Sequence, residues 1–347
     1  MKKTLLIILT MVLVIGSITG CGGNSGNTGQ TTEKETKPIV LKLAHVEAMD
    51  RSIHTSAEDF KKFVEEKTNG RVEVQLFPNG QLGGDKDVLE GIQLNTIQMS
   101  IMGASVLGSF DDKFGVLDLP YLFDSYEDMS KAVCGPLGDL YNSWLLEYGF
   151  MGLGFEYDGA RSISNNVRPI NSVADVKGLK LRVMQTQVYI SMMNLMGANP
   201  TPMSFTELYT SLAQGVVDGQ DNPPSIAYTN NFQEVQKYYS WTRHTFQNGV
   251  IVTSKAFMDS LPGDIRDVII EGALMMQNTQ RDFERSLESD YEKKIGESGT
   301  CTVNEVPAAN MKGFRDAVAP IYDEFRGLIG KDVMEQVLAA AGKTGQF

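Results

Sequence analysis

The feature that most restricts the fold of this chain is a regular alternation of strand and helix patterns, which begins near Ile39. "IVLKLAHV" predicts a strand, "RSIHTSAEDFKKFVEEKTNG" places four apolar side chains on one helix face, and "RVEVQLFP" alternates apolar and polar residues as a second strand. The glycine turn "QLGG" leads into a helix that starts near Asp85, and "IQMSIM" is a third strand. This order is typical of a parallel sheet with helical crossovers.

A second series of strands and helices begins at Arg161, before the first series is complete. A helical stretch from about 125 to 148 and the strand "FMGLGFEY" precede it, and the series itself contains "RSIS", "LKLRV", the helix "TQVYISMMNLMG", the loop "ANPTPM", the helix "SFTELYTSLAQG" and the strand "VVDGQDNPP". The strand "GVIVTS", a very long helical pattern beginning at Pro262, the strand "CTVNEV" and two helices follow. The interleaving predicts an α/β protein with two lobes, which the chain crosses more than once, and a cleft between them.

The N-terminal residues have the pattern of an export signal. Two lysines precede an apolar segment that is too short to span a bilayer, as in a secretory signal peptide. "ITGC", which ends at Cys21, resembles a bacterial lipobox and implies cleavage before Cys21 and lipidation of its thiol; the alternative is an ordinary signal with a chance cysteine. We therefore expect a signal peptide over 1–20. Residues 21–38, rich in Gly, Ser, Thr and Asn, should form a flexible tether.

The charge of the chain makes individual arginines informative. The formal net charge is -12 and no basic stripe occurs, so nucleic acid is not an expected partner. Arg182 lies in "GLKLRVMQTQ", a strand pattern with one apolar face, where an unpaired guanidinium would be costly to bury. Either a carboxylate of this chain, such as that of Glu207 or Asp218, or an anion from outside must meet it.

Sequence motifs for catalysis or metal binding are incomplete. "GFMGLGFEYDG" has Tyr157 where a dinucleotide-binding turn needs a small residue, and "GASVLG" lacks the second glycine of a nucleophile elbow. The three histidines, His45, His54 and His244, have no i, i+4 spacing, and no HExxH or CxxC occurs. We therefore expect no catalytic residue, no metal and no cofactor.

Two cysteines remain beyond Cys21. Cys134 and Cys301 are far apart in the sequence and form no metal motif. They could pair in an exported protein, but we predict two free, buried thiols.

Several motifs occur together in the order and spacing of a known family. They are "FPNGQLGGD", "GARSISNNVRPINSVADVKGLKLRV", "GANPTPMSFTELYTSLAQGVVDGQDNPP" and "FQEVQKYYSWTRH". From about Ile39 to its end, the sequence resembles the extracytoplasmic solute-binding subunit of tripartite ATP-independent periplasmic (TRAP) transporters, in the family typified by C4-dicarboxylate binders.

The resemblance implies a two-lobed, flytrap-like periplasmic-binding-protein fold. Residues 38–159 plus 248–287 would form lobe I, residues 160–247 plus 288–347 would form lobe II, and the long helix would span both. It also implies a monomeric binding protein, not an enzyme, held at the outer face of the cell membrane by its lipid or free in the periplasm. Such proteins close over an organic acid and deliver it to a small and a large membrane subunit, which use an ion gradient, usually of Na⁺.

The resemblance implies a carboxylate-binding role for two arginines. Arg182 matches the family arginine that pairs bidentately with the ligand carboxylate, and the planar fork of a guanidinium suits that geometry. Arg161 in "GARS" matches a second arginine nearby, with a surface charge as the alternative. Asn222 in "DGQDNP" matches an amide that contacts the ligand, unless it is a turn residue that caps its own backbone. Phe205 in "PMSF" matches an aromatic wall, unless it belongs to the core.

Four further residues complete the predicted site. Gln185 follows the arginine strand and could reach a hydroxyl group. Asp85 matches a position that meets ligand hydroxyls, with a helix N-cap as the alternative. His45 and Glu47 follow the first strand, where this fold places the mouth of its cleft.

The polar residues of the predicted site indicate the class of ligand. Two arginines could hold the two carboxylates of a C4-dicarboxylate, but Glu47 and Asp85 would repel the second one. Carboxylates accept hydrogen bonds from hydroxyls, which favours a polyhydroxylated monocarboxylate such as a hexuronate or aldonate. "GASV", Gly103 to Val106, lacks the Glu and Arg of some sialic-acid binders and argues against that ligand. The remaining alternatives are an exported enzyme that acts on a sugar acid, for example a lyase, and a binding protein of an ABC transporter.

Overall fold

The computed structural model describes residues 37–347, so the predicted signal peptide, Cys21 and all of the tether but its last two residues lie outside the described part. Residues 37–347 form nine strands: β1 Ile39–Ala44, β2 Val72–Phe77, β3 Met99–Gly103, β4 Phe150–Asn165, β5 Lys180–Val183, β6 Asn199–Pro202, β7 Gly219–Asn222, β8 Tyr238–Ser254 and β9 Thr302–Glu305. The alternation with helices confirms the α/β class.

The same residues form thirteen α-helices. They are α1 Ser52–Lys67, α2 Asp85–Gln93, α3 Tyr126–Val133, α4 Pro136–Glu147, α5 Gln187–Leu195, α6 Leu208–Ala213, α7 Pro224–Thr229, α8 Phe232–Val235, α9 Lys255–Ser260, α10 Gly263–Glu297, α11 Ala308–Val318, α12 Pro320–Ile329 and α13 Lys331–Ala340. Short 3₁₀ segments lie at Ala104–Ser109, Asp112–Asp118, Val173–Val176 and Phe205–Glu207. Helix α10 follows Pro262, where the long helical pattern was predicted to begin.

All nine strands of the described residues join one mixed sheet. Its order is β2-β1-β3-β8-β4-β7-β5-β6, and β9 pairs with β8 beside this path. The outer strands β1–β3 and β5–β7 form parallel pairs, whereas β4 and β8 run antiparallel to each other along most of their length. Strand β8 pairs with β3 near one end and with β9 near the other, so β4 and β8 connect the β1–β3 side of the molecule to the β5–β7 side.

The ladder between β4 and β8 is interrupted, and helix α10 supplies the missing partners. Register shifts occur at Gly152/Gly154, Tyr157/Gly159 and Arg161/Ile163. The backbone N–H groups of Phe155 and Tyr157 donate to the side chains of Gln277 and Gln280 of α10, at 2.8 and 3.0 Å. Because a buried N–H needs an acceptor, these two glutamines hold α10 against the irregular strand.

Three hydrophobic clusters support this arrangement. The smaller clusters lie around Phe60 of α1 and around Tyr239 of β8. The largest cluster includes Leu89 of α2, Val183 of β5 and Phe325 of α12, so it continues from the β1–β3 side through to the C-terminal helices.

The structure corrects four local predictions. "FMGLGFEY" and "RSIS" belong to one strand, β4, because the equally long β8 pairs along both. "ANPTPM" contains β6, an edge strand, where prolines are tolerated. Three helices, not two, close the described chain, separated at Pro320 and at Gly330, whose φ is +85°. Both cysteines are free, as predicted, but only Cys301 is buried; Cys134 follows the last turn of α3 and is exposed.

Candidate ligand-binding site

Two neighbouring cavities lie where strands of the β1–β3 side and the β5–β7 side end near one another. Both are lined by Asp85, Arg182, Met184 and Phe205. The first, which we call the polar cavity, is also lined by Glu47, Asp158, Arg161, Asn222 and Gln247. The second, the outer cavity, is also lined by Lys86, Val106, Ser109, Gln185, Thr186, Met203 and Ser204.

Arg182 is a buried cation that forms no ion pair with any described residue. Its side chain, on β5, is 3% exposed, and its Nε and Nη2 both donate to the backbone oxygen of Met203, at 3.1 and 3.0 Å. The alternative, a salt bridge to Asp218 or Glu207, is therefore not formed; the Asp218 carboxylate instead accepts the backbone N–H of Lys180 at 2.8 Å. Burial, reinforced by the nearby charge of Arg161, lowers the pKa of Arg182 to about 10. The Nη1 group remains free to bind an anion.

Arg161 is equally buried, but its charge is already compensated within the protein. Its Nε donates to Asp221 Oδ2 at 2.7 Å, and its two Nη atoms donate to Gln247 Oε1 and to the backbone oxygen of Asp221. His244 approaches the same Oδ2 at 3.2 Å. Burial alone would raise the pKa of Asp221, but Arg161 and His244 outweigh it and hold the pKa well below its usual range. Arg161 is therefore not a surface charge.

The polar cavity contains two carboxylate oxygens that lack a hydrogen-bond donor. Oδ1 of Asp85 and Oε2 of Glu47 are buried and unpartnered, although Glu47 Oε2 lies 3.4 Å from Arg51 Nε. Burial raises the pKa of Asp85 to about 7, against the opposing charge of Arg182, and burial also raises the pKa of Glu47. Asp85 is the first residue of α2 and not its N-cap, which is Gly84.

A third buried arginine, Arg51, lies behind the polar cavity, and sequence reasoning missed it. Arg51 is fully buried among three carboxylates: Nη2 lies 2.9 Å from Asp158, Nε 3.4 Å from Glu47 and Nη1 3.5 Å from Glu284. Asp158 also accepts from Gln247 Nε2 at 2.9 Å, which connects this cluster to Arg161. The one sequence signal was the polar interruption "EYDGA" in an otherwise apolar strand.

Of the remaining predicted residues, some line the two cavities and one does not. Asn222 lines the polar cavity, and its Nδ2 donates to Gln220 Oε1 at 2.5 Å instead of capping its own backbone. Phe205 is half-buried, with its ring 5.8 Å from Arg182 Cζ. Gln185 is exposed at the outer cavity. His45 is not among the lining residues; its Nε2 lies 3.1 Å from His54 Nδ1, and burial lowers its pKa to about 3.

This geometry can bind an anion that also carries hydrogen-bond donors. Arg182 offers an uncompensated fork for the anion, while Asp85 and Glu47 offer acceptors. Within 37–347, no group of three or more His, Cys, Asp or Glu side chains is arranged to hold a metal ion. None of the helices over that range combines the length and apolarity needed to cross a membrane.

Comparison with known proteins identifies several similar chains. The family model described as "Bacterial extracellular solute-binding protein, family 7" matches residues 43–327. The C4-dicarboxylate-binding periplasmic protein DctP of Rhodobacter capsulatus is 34% identical over 312 residues, covering 88% of this chain and 92% of its own.

Two solved structures are similar over nearly their whole length. The sugar acid binding protein DctPAm from Advenella mimigardefordensis, in complex with galactonate, has a TM-score of 0.85 and 34% identity, covering 89% of this chain and 99% of its own. A TRAP periplasmic solute-binding protein from Shewanella oneidensis, with bound succinate, has a TM-score of 0.84 and 30% identity, covering 88% and 99%. The likeness confirms the two-lobed fold.

Proposed function

Since this chain belongs to the family 7 bacterial extracellular solute-binding proteins, of the DctP type that serves TRAP transporters, we propose that its ligand is a polyhydroxylated monocarboxylate such as a hexuronate or an aldonate. Members of the family bind organic acids outside the cytoplasm and are binding proteins, not enzymes. The proposal concerns which acid is bound.

The observation that carries the proposal is the contrast between Arg182 and Arg161. Arg182 is buried with only a backbone oxygen as partner, so an external carboxylate would provide the missing negative charge. The charge of Arg161 is already compensated by the carboxylate of Asp221. Arg161 keeps N–H groups that can donate to the same ligand, but no second uncompensated cation faces the polar cavity among the described residues that line it.

The acceptors of the polar cavity favour hydroxyl groups over a second carboxylate. When ionised, Asp85 and Glu47 would repel a second carboxylate, while their unpartnered oxygens accept hydrogen bonds from hydroxyls. Asn222 and Gln247 can donate to hydroxyls or accept from them, and Phe205 would form an apolar wall. We do not include His45 among the residues that contact the ligand.

A C4-dicarboxylate is the second candidate. It is supported by the Rhodobacter capsulatus relative, which is named a C4-dicarboxylate-binding protein, and by the succinate in the Shewanella oneidensis structure. The galactonate in the Advenella mimigardefordensis structure supports the first candidate. Both ligands fit the same fold, so the choice depends on the side chains of the polar cavity.

Calorimetry on ligand-free protein distinguishes the two candidates. We expect micromolar or tighter binding of galactonate, glucuronate or galacturonate, about -8 kcal/mol or better, with succinate and malate weaker by at least about tenfold. Tight binding of succinate without a response to any sugar acid would reverse the choice. The NMR spectrum of each acid should be unchanged after incubation with the protein, because a binding protein does not convert its ligand.

The proposal extends to membrane delivery and to closure. We propose that the protein is a monomer with the lobe boundaries 38–159 plus 248–287 and 160–247 plus 288–347. It would be attached to the outer face of the cell membrane through lipidated Cys21 and would deliver its ligand to the small and large TRAP membrane subunits.

Small-angle scattering should show a smaller radius of gyration at saturating ligand, because the lobes close by a hinge motion. An unchanged profile would argue for a rigid site.

A further inference from the structure

Four chain segments meet beside the two cavities. Residues 80–84, between β2 and α2, and residues 103–108, which begin at the last residue of β3, come from the β1–β3 side. Residues 184–186, after β5, and residues 204–206, after β6, come from the β5–β7 side. The first segment leads directly into Asp85, and the third begins two residues after Arg182, so the contacts between these segments border the predicted ligand.

Four of the contacts between these segments have a glycine on one side and a side chain on the other. A Cβ added at Gly84 would lie 2.6 Å from Ser204 Oγ, and one added at Gly103 would lie 3.2 Å from Met184 Cε. The same pattern holds for two further pairs, Gly80 with Thr206 at 2.8 Å and Gly108 with Thr186 at 3.5 Å. An added Cβ at Gly84 would displace Ser204 Oγ, and one at Gly103 would require Met184 Cε to move by a few tenths of an ångström.

The backbone itself does not require glycine at Gly84 or Gly103. Their φ and ψ angles, -75° and 172° for Gly84 and -55° and 131° for Gly103, are allowed for any residue. Gly80 differs, since its φ of +66° favours glycine regardless of its neighbours. The close approach of the two sides is therefore the feature that explains Gly84 and Gly103.

We propose that Gly84 and Gly103 are positioning residues that set how closely the two sides of the site close over a bound ligand, and so determine its retention; Gly103 also lines the polar cavity, whereas Gly84 lines neither cavity. The inference rests on the proposed function, in which the two lobes close on an organic acid. A methyl group at either position obstructs the closed state, in which the segments touch, and leaves the open state unaffected. The dissociation rate should therefore rise while the association rate stays the same.

The approach of the two sides is tested first with a disulfide that needs no knowledge of the ligand. The Cβ positions at 84 and 204 would lie 3.7 Å apart, within the range of a disulfide. In a background with Cys134→Ser and Cys301→Ser, the pair Gly84→Cys with Ser204→Cys should form an intramolecular disulfide under mild oxidation, and faster with galactonate present. The pair Gly327→Cys with Ser204→Cys is the control. Absence of the disulfide, with or without galactonate, would overturn the inference.

The role in retention is tested by stopped-flow kinetics with galactonate as the probe. Gly84→Ala should raise koff at least about tenfold, with kon within about twofold and an unchanged Tm of the ligand-free protein, and Gly103→Ala should raise koff by a smaller factor. Adding Ser204→Gly to Gly84→Ala should restore much of the loss, because it removes the obstructing atom. Gly327→Ala, which meets no atom within 4 Å, is the matched control. A koff that stays within twofold in both glycine variants would overturn the inference. If the wild type binds none of the acids but the disulfide forms, the proposed function is wrong, while the close contact between residues 84 and 204 is still supported.

Discussion

Arg161 Nε lies 2.7 Å from Asp221 Oδ2, and both side chains are only 1% exposed. The pair neutralises one of the two arginines of the polar cavity before any ligand arrives. Arg182, on the neighbouring side of the same cavity, is left as the uncompensated cation. The two arginines therefore differ in charge balance: Arg161 is paired within the protein, and we propose that Arg182 binds the anion.

Arg182→Ala should abolish ligand binding while the fold is retained. Loss of a charge-assisted bidentate contact should cost about 2 to 5 kcal/mol of binding free energy. Arg182→Lys should also bind poorly, because an ammonium group cannot reproduce the planar fork. Calorimetry measures both, with the exposed Lys180→Ala on the same strand as the control. Near-normal affinity of Arg182→Ala would refute the assignment.

Asp221→Asn should destabilise the protein and change its response to acid. Removing one partner of a buried ion pair costs about 3 to 5 kcal/mol. Because the folded-state pKa of Asp221 is depressed, its contribution is complete above its unfolded pKa of about 4 and is lost as the pH falls below that. Urea unfolding should therefore show a larger difference between wild type and variant at pH 7 than at pH 3. An equal difference at both pH values would contradict the depressed pKa.

Asp85→Asn should change ligand selectivity more than ligand affinity as a whole. The substitution removes a negative charge beside the ligand but keeps an acceptor oxygen. Binding of succinate relative to galactonate should improve by at least about threefold, on the order of the effect of one nearby charge in a partly solvated site. Competition calorimetry at pH 8, above the pKa of about 7 for Asp85, gives the largest contrast. An unchanged ratio would mean that Asp85 does not face the ligand.

The two cysteines of the described chain should differ in reactivity. Burial raises the pKa of Cys301 to about 11, and its thiol should resist modification in the native protein. Cys134 is exposed and should react with a thiol reagent such as Ellman's reagent. We expect one fast thiol in native protein that lacks the Cys21 thiol, and two after denaturation. A native count of zero would contradict the exposure of Cys134, and a count of zero after denaturation as well would indicate a disulfide.

Cys21→Ser should release the protein from the membrane or block its processing, since the lipid would have no thiol to attach to. Fractionation of expressing cells, followed by detection in the membrane and soluble fractions, measures the change. A variant that still fractionates with membranes at the mature size and requires detergent would exclude the lipidation proposal.

Local sequence patterns correctly predicted helix starts that depend only on neighbouring residues. Helix α2 starts at Asp85, and α10 follows Pro262, because a glycine turn and a proline mark those starts. The same logic failed for β4, where the strand continues through the polar stretch "DGA" only because β8 pairs with it from about 90 residues away. A single sequence contains no signal for such a distant partner.

The site was predictable only in part for the same reason. Residues within recognised motifs, such as Arg182 and Asn222, could be named and do line the polar cavity. Arg51 and Asp158 could not be named, because they are separated by 107 positions in the sequence and no local pattern indicates their contact. The position of His45 against His54 likewise depends on how α1 packs against β1, which periodicity does not specify.

The pairing of β3 with β8 has a consequence for how the chain is made. Residues 99–103 of β3 pair with residues 249–253 of β8, so β3 leaves the ribosome about 150 residues before its partner. At typical synthesis rates this interval is roughly 7 to 30 seconds. A β1–β3 unit that folded within this interval would have an open, apolar edge at β3, which is the kind of surface that aggregates or recruits a chaperone. A nascent chain that is kept unfolded until β8 has been synthesised avoids this hazard.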